Sequence, residues 1–381
     1  MKIKVLQFSL AASMGGRSRY ILDIWKYINH EEFQFDFVTF ANQLPIEEEL
    51  KKQGCKVFHF PCYPKENLKL FINTWKRILD ENYDIIHLNT SFWDGFWLEE
   101  YAEGRASKII VHAHNTGIGK NVQDDKREII LQKHYELRKN LDFNKITECW
   151  ACSKAAASWL FGERIPEEKL FITYPTIDAK EFLYSEEIRR QYRERMGINA
   201  EYIVGSVGRL VYQKNYSFIL EAFSEEFKGD EEVKLLIIGR GEQEKELRKL
   251  SKELDIEKQL VMLNDVENII PYYYVMDLFV LPSLYEGFPK VVVEAAATGL
   301  KCICSDTITE EVEVIQGIIR LPLEKEEWKS TLKKQRLMPN ENRMIAVEMI
   351  ENCGFDLHSE VIRIEQKYRE NLHEKDKEDL K

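Results

Sequence analysis

Three quarters of the way along, the chain reads YEGFPKVVVEAAATG, with Glu286 in a Gly-Phe-Pro turn and Glu294 inside the apolar run that follows. Gly287 suits a turn. Pro289 suits the first position of a helix, where its missing N–H has no partner to lose. Such a helix carries Val291, Val292, Val293 and Ala295 to Ala297 into a core. Glu286 then stands in the loop outside it, and Glu294 about a turn and a half inside. A carboxylate within an apolar helix is costly to bury without donors. Ribose hydroxyls are suitable donors for Glu294 and sugar hydroxyls for Glu286, while N–H groups of the turn face phosphate or sugar oxygens. The alternative is a helix-capping Glu286 and a solvent-facing Glu294, which the apolar surroundings disfavour.

A second stretch, GSVGRLVYQKN, places Arg209 and Lys214 in a loop after a strand ending at Gly208 and before a helix beginning near Tyr216. Two cations at the carboxyl end of a strand, beside a helix amino terminus, make a diphosphate site. Two solvated charges in an ordinary connection are the other reading, and the segment alone does not choose. IIGRGEQE follows the next strand, with Gly239 and Gly241 allowing a sharp turn; it could be only a tight connection. In SKIIVHAH, His112 and His114 alternate and point to one face of a strand end. His112 reads as a satisfied core histidine, His114 as closer to the loop.

The elements that must position these residues are short apolar runs alternating with helical patterns. In the first half the strand candidates are IKVLQFS, FQFDFVTF, KVFHF, DIIHLN, SKIIVHAH and TECWAC, separated by helix-like stretches such as YILDIWKYI and LKLFINTWKRIL. After a break at TYPTIDAKEFLYSEE the alternation restarts with YIVGSVG, VKLLIIG, LVMLN, LFVLPS, KCICS and GIIRLP. That pattern predicts an α/β protein with two Rossmann-like domains, each a parallel sheet covered on both faces. The expected division is an amino-terminal domain over 1–180, a nucleotide-binding domain over 181–355, and a helix with a charged tail over 356–381. Ligands of such sheets bind outside the carboxyl ends of the strands, so a central cleft between the domains is the expected site. The last residues, HEKDKEDLK, read as solvated.

Composition narrows the function classes. A chain of 381 residues with 44% hydrophobic and 31% charged residues is a globular protein of more than one core. A formal net charge of -11 argues against a general nucleic-acid binder. Seven cysteines with no framework fit reduced thiols of the cytoplasm. The pair in CWAC has redox or metal spacing, but no second pair follows, and it lies where a strand runs into a helix, which favours a core role. The opening MKIKVLQFSLAASMGG is read as a first strand, not a signal peptide, since Gln7 and Ser9 interrupt its apolar stretch. No run of eighteen apolar residues spans a membrane.

Taken together, VGRL with KN, then IIGRGE, then E-G-F-P-x4-E resembles the retaining glycosyltransferases of family four, with the GT-B fold. SMGGRSRYILDI, IIVHAHNT, ACSKAAASWLFG and CSDTITEEVEVI extend the resemblance through most of the chain, the last three toward the bacterial exopolysaccharide and capsular polysaccharide branch. The resemblance implies that Arg209 and Lys214 hold a donor diphosphate and that Glu294 binds the nucleotide ribose. It implies that Glu286 contacts the transferred sugar, assisted by backbone N–H groups around Gly287 and Phe288. Gly15 and Gly16 match the loop that approaches the diphosphate, and His114 matches the histidine at the sugar end. It further implies no metal and no cofactor, with a nucleotide-sugar donor, UDP-linked in the commonest case, whose base meets the loop from Asn264 to Val266. The implied partner is a saccharide or lipid-linked saccharide acceptor in surface polysaccharide and capsule assembly. Two departures stand out: GGRSR puts Ser18 where many relatives carry a glutamate, and YPTID has Thr176 where a glycine is common. Arg17 and Arg19 are then either contacts for an anionic acceptor or a solvated helix start.

Three rivals remain at this level. A nucleotide-sugar epimerase of related fold would consume donor without acceptor. A catalytically silent subunit would bind a nucleotide sugar only. An NAD enzyme is disfavoured because SMGGRSR lacks the G-x-G-x-x-G spacing. The helical stretch DDKREIILQKHYELRKN combines Lys126, Arg127, Lys133, Arg138 and Lys139 with Ile129, Ile130 and Leu131. It reads either as a peripheral contact with anionic lipid at the inner face of a cell membrane or as an ordinary surface helix diluted by Asp124, Asp125, Glu128 and Glu136.

Overall fold

A computed structural model describes residues 2–13, 15–95, 98–118, 124–264, 266–338 and 343–372, without the side chains of 101 and 124–126. The chain divides into two compact units, one made of 1–118, 122–175 and 357–381, the other of 119–121 and 176–356. HEKDKEDLK lies outside the described residues, as do the side chains of Asp124, Asp125 and Lys126.

Unit 1 is a seven-stranded sheet of β1 (Ile3–Leu10), β2 (Phe33–Thr39), β3 (Val57–His59), β4 (Ile85–Thr90), β5 (Lys108–Ala113), β6 (Glu148–Ala151) and β7 (Leu170–Ile172). Unit 2 is a six-stranded sheet of β8 (Tyr202–Val207), β9 (Val233–Ile238), β10 (Leu260–Leu263), β11 (Leu278–Leu281), β12 (Lys301–Ser305) and β13 (Ile318–Leu321). The spatial orders are β3-β2-β1-β4-β5-β6-β7 and β10-β9-β8-β11-β12-β13, and every pairing is parallel. Strand order reverses beside β1 and β4 in unit 1 and beside β8 and β11 in unit 2. Those are the crevices where doubly wound sheets take ligands.

Why these segments form interior strands is visible in their composition. VKLLII and LFVL are near-continuous aliphatic runs, the signature of strands buried on both faces, and Leu235, Leu236, Ile237, Phe279 and Val280 are fully buried. All twelve strand candidates are strands. β7 is an addition, a three-residue edge strand of half-buried residues whose LFI directly follows the polar turn Glu167–Lys169. The helix after the Gly-Phe-Pro turn runs Lys290–Ala297, with Pro289 as its flanking residue at φ -84 and ψ 73, one place earlier than the sequence suggests. Val292, Val293 and Ala295 to Ala297 are buried as expected, whereas Val291 is only half-buried.

The helix Leu357–Arg369 returns to unit 1 and supplies Leu357, Val361, Ile364 and Tyr368 to its core. Arg369 pairs with Glu32 through two parallel bonds of 2.7 and 2.6 Å. Tyr368 stacks on Trp150 at 5.3 Å between ring centroids. All seven cysteines are free, and Cys149, Cys152, Cys302 and Cys304 are buried; burial pushes the Cys149 thiol up to about 12. Among the described residues no helix is long and apolar enough to cross a membrane.

Candidate functional site

In unit 2 the charged motifs converge at the switch point. The loop after β8 forms a single three-ten turn, Tyr212–Lys214, and Asn215 then takes the left-handed conformation at φ 52 before the helix Tyr216–Phe227. Asparagine tolerates that conformation better than most residues, which accounts for the Lys-Asn pair. The loop after β11 runs alongside: the Leu284 N–H donates to the Gln213 carbonyl at 2.8 Å, and Gln213 Nε2 donates to the Tyr285 carbonyl at 2.8 Å. Between the two loops, Lys214 Nζ meets Glu286 Oε1 at 2.6 Å, both side chains largely buried. Ser283 Oγ donates to the same oxygen at 2.7 Å, and Gln213 Nε2 lies 3.3 Å from Glu286 Oε2. A Cβ on Gly208 would come within 3.1 Å of Lys214 Cε, so the glycine leaves room for the lysine to lie across the strand end.

Arg209, in the same loop as Lys214, is exposed, and among the described residues its guanidinium has no hydrogen bond or ion pair. Glu294, half-buried on the helix Lys290–Ala297, accepts a 2.7 Å bond from the hydroxyl of Tyr273. It is thus neither solvent-facing nor without a donor. Tyr273 sits on the short helix Ile270–Val275. Arg343 ties that helix to the next: its guanidinium donates to the carbonyls of Tyr273 at 3.1 Å and Thr298 at 2.7 Å. Burial lowers the Arg343 pKa to about 10, so it keeps its charge at neutral pH.

The Gly239-Arg-Gly241 corner proves to be a packing device. A Cβ on Gly239 would fall 1.9 Å from the Gly208 carbonyl oxygen, and one on Gly241 would fall 2.1 Å from that of Leu210. The two loops lie backbone to backbone, the Leu210 N–H donating to the Arg240 carbonyl at 2.7 Å. Asn264 is exposed after β10 and donates to Glu244 at 3.0 Å; Val266 is half-buried, and Asp265 between them lies outside the described residues. Gly287 and Phe288 are buried in the turn, the Phe288 ring 5.4 Å from that of Phe355.

In unit 1, Gly15 caps the helix Gly16–Tyr27 at φ -67 and ψ 178. Open space surrounds the place of a Cβ on Gly15 and on Gly16, so neither packing nor backbone conformation within the unit demands glycine. Ser18 is buried, its Oγ accepting from the Ala11 N–H at 3.0 Å, which fixes the loop after β1. His114 Nε2 lies 2.7 Å from Asn89 Oδ1. The Asn89 amide donates to Gln7 Oε1 at 2.9 Å and to the Phe8 carbonyl at 3.1 Å, so Asn89 Oδ1 faces the histidine as acceptor. His114 therefore carries its proton on Nε2, leaving a lone pair on Nδ1. Burial first, then the nearby Arg17 and His87, push its pKa well below the usual value, so it is neutral. His112 is fully buried and hydrogen-bonds His87 at 3.0 Å, and His87 in turn bonds the Tyr368 hydroxyl at 2.8 Å.

Within unit 2 the motif residues Lys214, Glu286 and Glu294 meet Gln213, Ser283 and Tyr273, and Arg343 holds the helix that carries Tyr273; within unit 1 His114 meets Asn89, and Tyr368 meets His87. Tyr273 carries a weak signal in the run PYYYV. Ser283 lies three residues before Glu286, whereas Gln213, Arg343, Asn89 and Tyr368 are distant in sequence from the side chains or carbonyls they meet.

Two doubly wound parallel sheets, each presenting polar loops at the carboxyl ends beside its switch point, define the GT-B class of two-domain transferases. The chain belongs to the glycosyltransferases: residues 14–181 match the model of Glycosyltransferase Family 4, and residues 188–343 match that of Glycosyl transferases group 1. It is similar to the putative glycosyltransferase EpsF of Bacillus subtilis (strain 168), 26% identical over 368 residues and 94% of each chain. It also resembles the UDP-Gal:alpha-D-GlcNAc-diphosphoundecaprenol alpha-1,3-galactosyltransferase of Escherichia coli, 24% identical over 80% of each chain. The solved structure of Anabaena Alr3699/HepE in complex with UDP and glucose superposes with a TM-score of 0.75 at 18% identity, covering 97% of this chain and 100% of that one.

Proposed function

We propose that this enzyme transfers a sugar from a UDP-sugar to a saccharide or lipid-linked saccharide acceptor in surface polysaccharide assembly, with retention of configuration and without a metal. The observation that carries this reading is the Lys214–Glu286 pair at the unit 2 switch point, with Arg209 exposed in the same loop as Lys214. Lys214 and Glu286 hold one another; a donor exchanges that one contact for two, the ammonium turning to the diphosphate and the carboxylate to sugar hydroxyls. Glu294, oriented by Tyr273, takes the ribose hydroxyls. The base rests on the loop of Asn264 and Val266. Gly15 and Gly16, which nothing in their own unit requires, let a diphosphate approach backbone N–H groups, and the lone pair on His114 Nδ1 accepts from a sugar hydroxyl.

In the reaction the bond between the anomeric carbon and the diphosphate oxygen breaks, and its electron pair goes to the diphosphate. The acceptor oxygen bonds to the same face of that carbon, and its proton passes to the departing diphosphate oxygen. Fixed cations and N–H groups stabilise the developing anion without reorganising at the moment of reaction, and removing one such donor typically costs on the order of 3 kcal/mol of barrier. Support for the donor class comes from relatives whose names specify UDP-Gal or whose structure was solved with UDP. A panel of nucleotide sugars screened by thermal stabilisation tests the donor. Turnover with acceptor in the presence of chelator, with the product anomer assigned by NMR, tests the rest. Donor consumption without acceptor, with release of an altered sugar, would overturn transfer in favour of epimerisation.

A further inference from the structure

Unit 1 contains a cavity of about 500 Å³ at the carboxyl ends of β1 and β4, within the size range of small-ligand sites. Its wall is aromatic: Phe40, Tyr63, Phe71, Phe92 and Trp93 all line it. The rings are stacked into a fixed surface, Phe40 on Tyr63 at 4.4 Å and 7°, Phe60 on Phe71 at 4.5 Å. Trp93 is held from behind by bonds from its indole N–H to the Leu160 carbonyl at 2.7 Å and from its backbone N–H to His134 at 3.1 Å.

Among the described residues, one cation lines this space. Arg17, in the first turn of the helix Gly16–Tyr27, is half-buried. Its guanidinium makes a single long bond, Nη1 to the Asn89 carbonyl at 3.4 Å, and among the described residues no carboxylate pairs with it. Arg19, two residues on, is exposed. Two acids also line the cavity: Asp94 is exposed, and Glu99 is buried, with its carboxyl pushed up to about 7 by burial, so that it carries only part of a charge at neutral pH. A partly buried arginine without a counter-ion is expensive unless an anion joins it.

The cavity wall continues to the surface. Tyr63, Leu68 and Leu70 are 48%, 49% and 43% exposed, within a stretch that also exposes Lys65 and Lys69. Apolar side chains interleaved with lysines suit the boundary of an anionic bilayer. An anion site and an apolar wall that leads to such a surface match one kind of ligand, a phosphorylated lipid.

We propose that the unit 1 cavity binds the phosphoryl-lipid end of the acceptor, its anion on Arg17 and its prenyl-type chain along the Phe40, Tyr63, Phe71 and Phe92 wall. This rests on the glycosyl-transfer reading and narrows its acceptor to a lipid-linked phosphate. The test is a calorimetric titration of the full chain with a C15 prenyl diphosphate, the matching prenyl alcohol and inorganic diphosphate, each with UDP at saturation to occupy the donor site. The expected result is that prenyl diphosphate binds at least about tenfold more tightly than either fragment, each tenfold being about 1.4 kcal/mol. Arg17→Ala and Arg17→Lys should weaken prenyl diphosphate and leave the alcohol unchanged. Phe92→Ala should weaken both prenyl ligands and leave inorganic diphosphate unchanged, and Arg19→Ala should change none. Inorganic diphosphate binding as tightly as the prenyl form would reduce the cavity to a free-anion site and overturn the proposal, as would wild-type affinity in Arg17→Ala or no binding of any probe. A parallel UDP titration separates the two readings: a protein that binds UDP but no prenyl ligand keeps the donor assignment and loses this one.

Discussion

The two units share a strand order and differ in what fills them. Unit 1 holds all eight histidines of the chain, and the stretch 176–356 of unit 2 holds none. Beneath the switch point of unit 1 runs a buried polar chain, from Tyr368 through His87 to His112, with Gln7, Asn89 and His114 beside it. The corresponding strands of unit 2 carry aliphatic side chains and the buried hydroxyls of Ser206 and Ser305, bonded to backbone carbonyls; Lys214, Glu286 and the exposed Arg209 stand in loops, and Glu294 on a helix. One topology therefore supports two kinds of site. Unit 2 keeps Lys214, Glu286 and Arg209 in loops, where the proposed donor would exchange partners with them. Unit 1 fixes neutral polar groups in a network closed by a helix from the far end of the chain.

The largest expected effect tests whether that closure is structural. Tyr368→Ala removes a buried ring stacked on Trp150 and the hydroxyl partner of His87 and should destabilise by about 3 to 5 kcal/mol. Hydrogen exchange should show the loss in unit 1 strands β1, β4, β5 and β6 and leave β8 to β13 unchanged. Equal loss in both units would erase the distinction.

Next, Arg209→Ala should lower kcat on the order of 100-fold with an unchanged melting temperature, since Arg209 is exposed and bears no part of the fold. Lys214→Ala should match it in turnover and also lose stability, because Glu286 is left buried without its cation. Near-normal turnover in both would remove the site from unit 2.

Acid should separate the units by a smaller amount. Burial lowers the His87 pKa to about 3 and pushes His112 and His114 well below their usual value. All three are neutral in the fold, whereas the unfolded chain binds protons once pH drops below about 6.5. Stability is thus lost as pH falls through that value toward the folded pKa, and His87 alone accounts for about 2 kcal/mol at pH 5. Glu99 works in the opposite sense, its raised pKa favouring the fold as pH falls from 7, and offsets part of this. Hydrogen exchange at pH 7 and pH 5, corrected for intrinsic rates, should show protection lost in unit 1 before unit 2.

The smallest effect concerns orientation. Tyr273→Phe removes one hydrogen bond to Glu294, about 1 kcal/mol, and should raise the donor KM roughly fivefold with kcat unchanged. A fall in kcat of similar size would place Glu294 at the reacting centre instead of the ribose.

How much of this could be read in advance follows from distance along the chain. The parallel sheets were legible because each strand but one is a short run rich in β-branched, aromatic or other apolar residues, set apart by helical stretches, and only the edge strand β7 left no trace. Arg209, Lys214, Glu286 and Glu294 were legible as residue types in turn motifs. Their partners were not. Gln213 lies beside Lys214 but meets Glu286 through a loop from another strand, and Arg343 reaches back to Tyr273 across the intervening strands. IIGRGE was legible as a tight connection, but what its glycines make room for, the carbonyls of Gly208 and Leu210, belongs to a different loop. Similarly, Tyr368 completes a network begun at Gln7, a relation with no local signature.

The most direct measurement is the affinity of UDP for the full chain, taken by calorimetry on the wild type, Arg209→Ala, Lys214→Ala and Arg19→Ala. The account predicts binding by the wild type, at least about tenfold weaker binding by the first two variants, and no change in the third. Wild-type affinity in both Arg209→Ala and Lys214→Ala would contradict it.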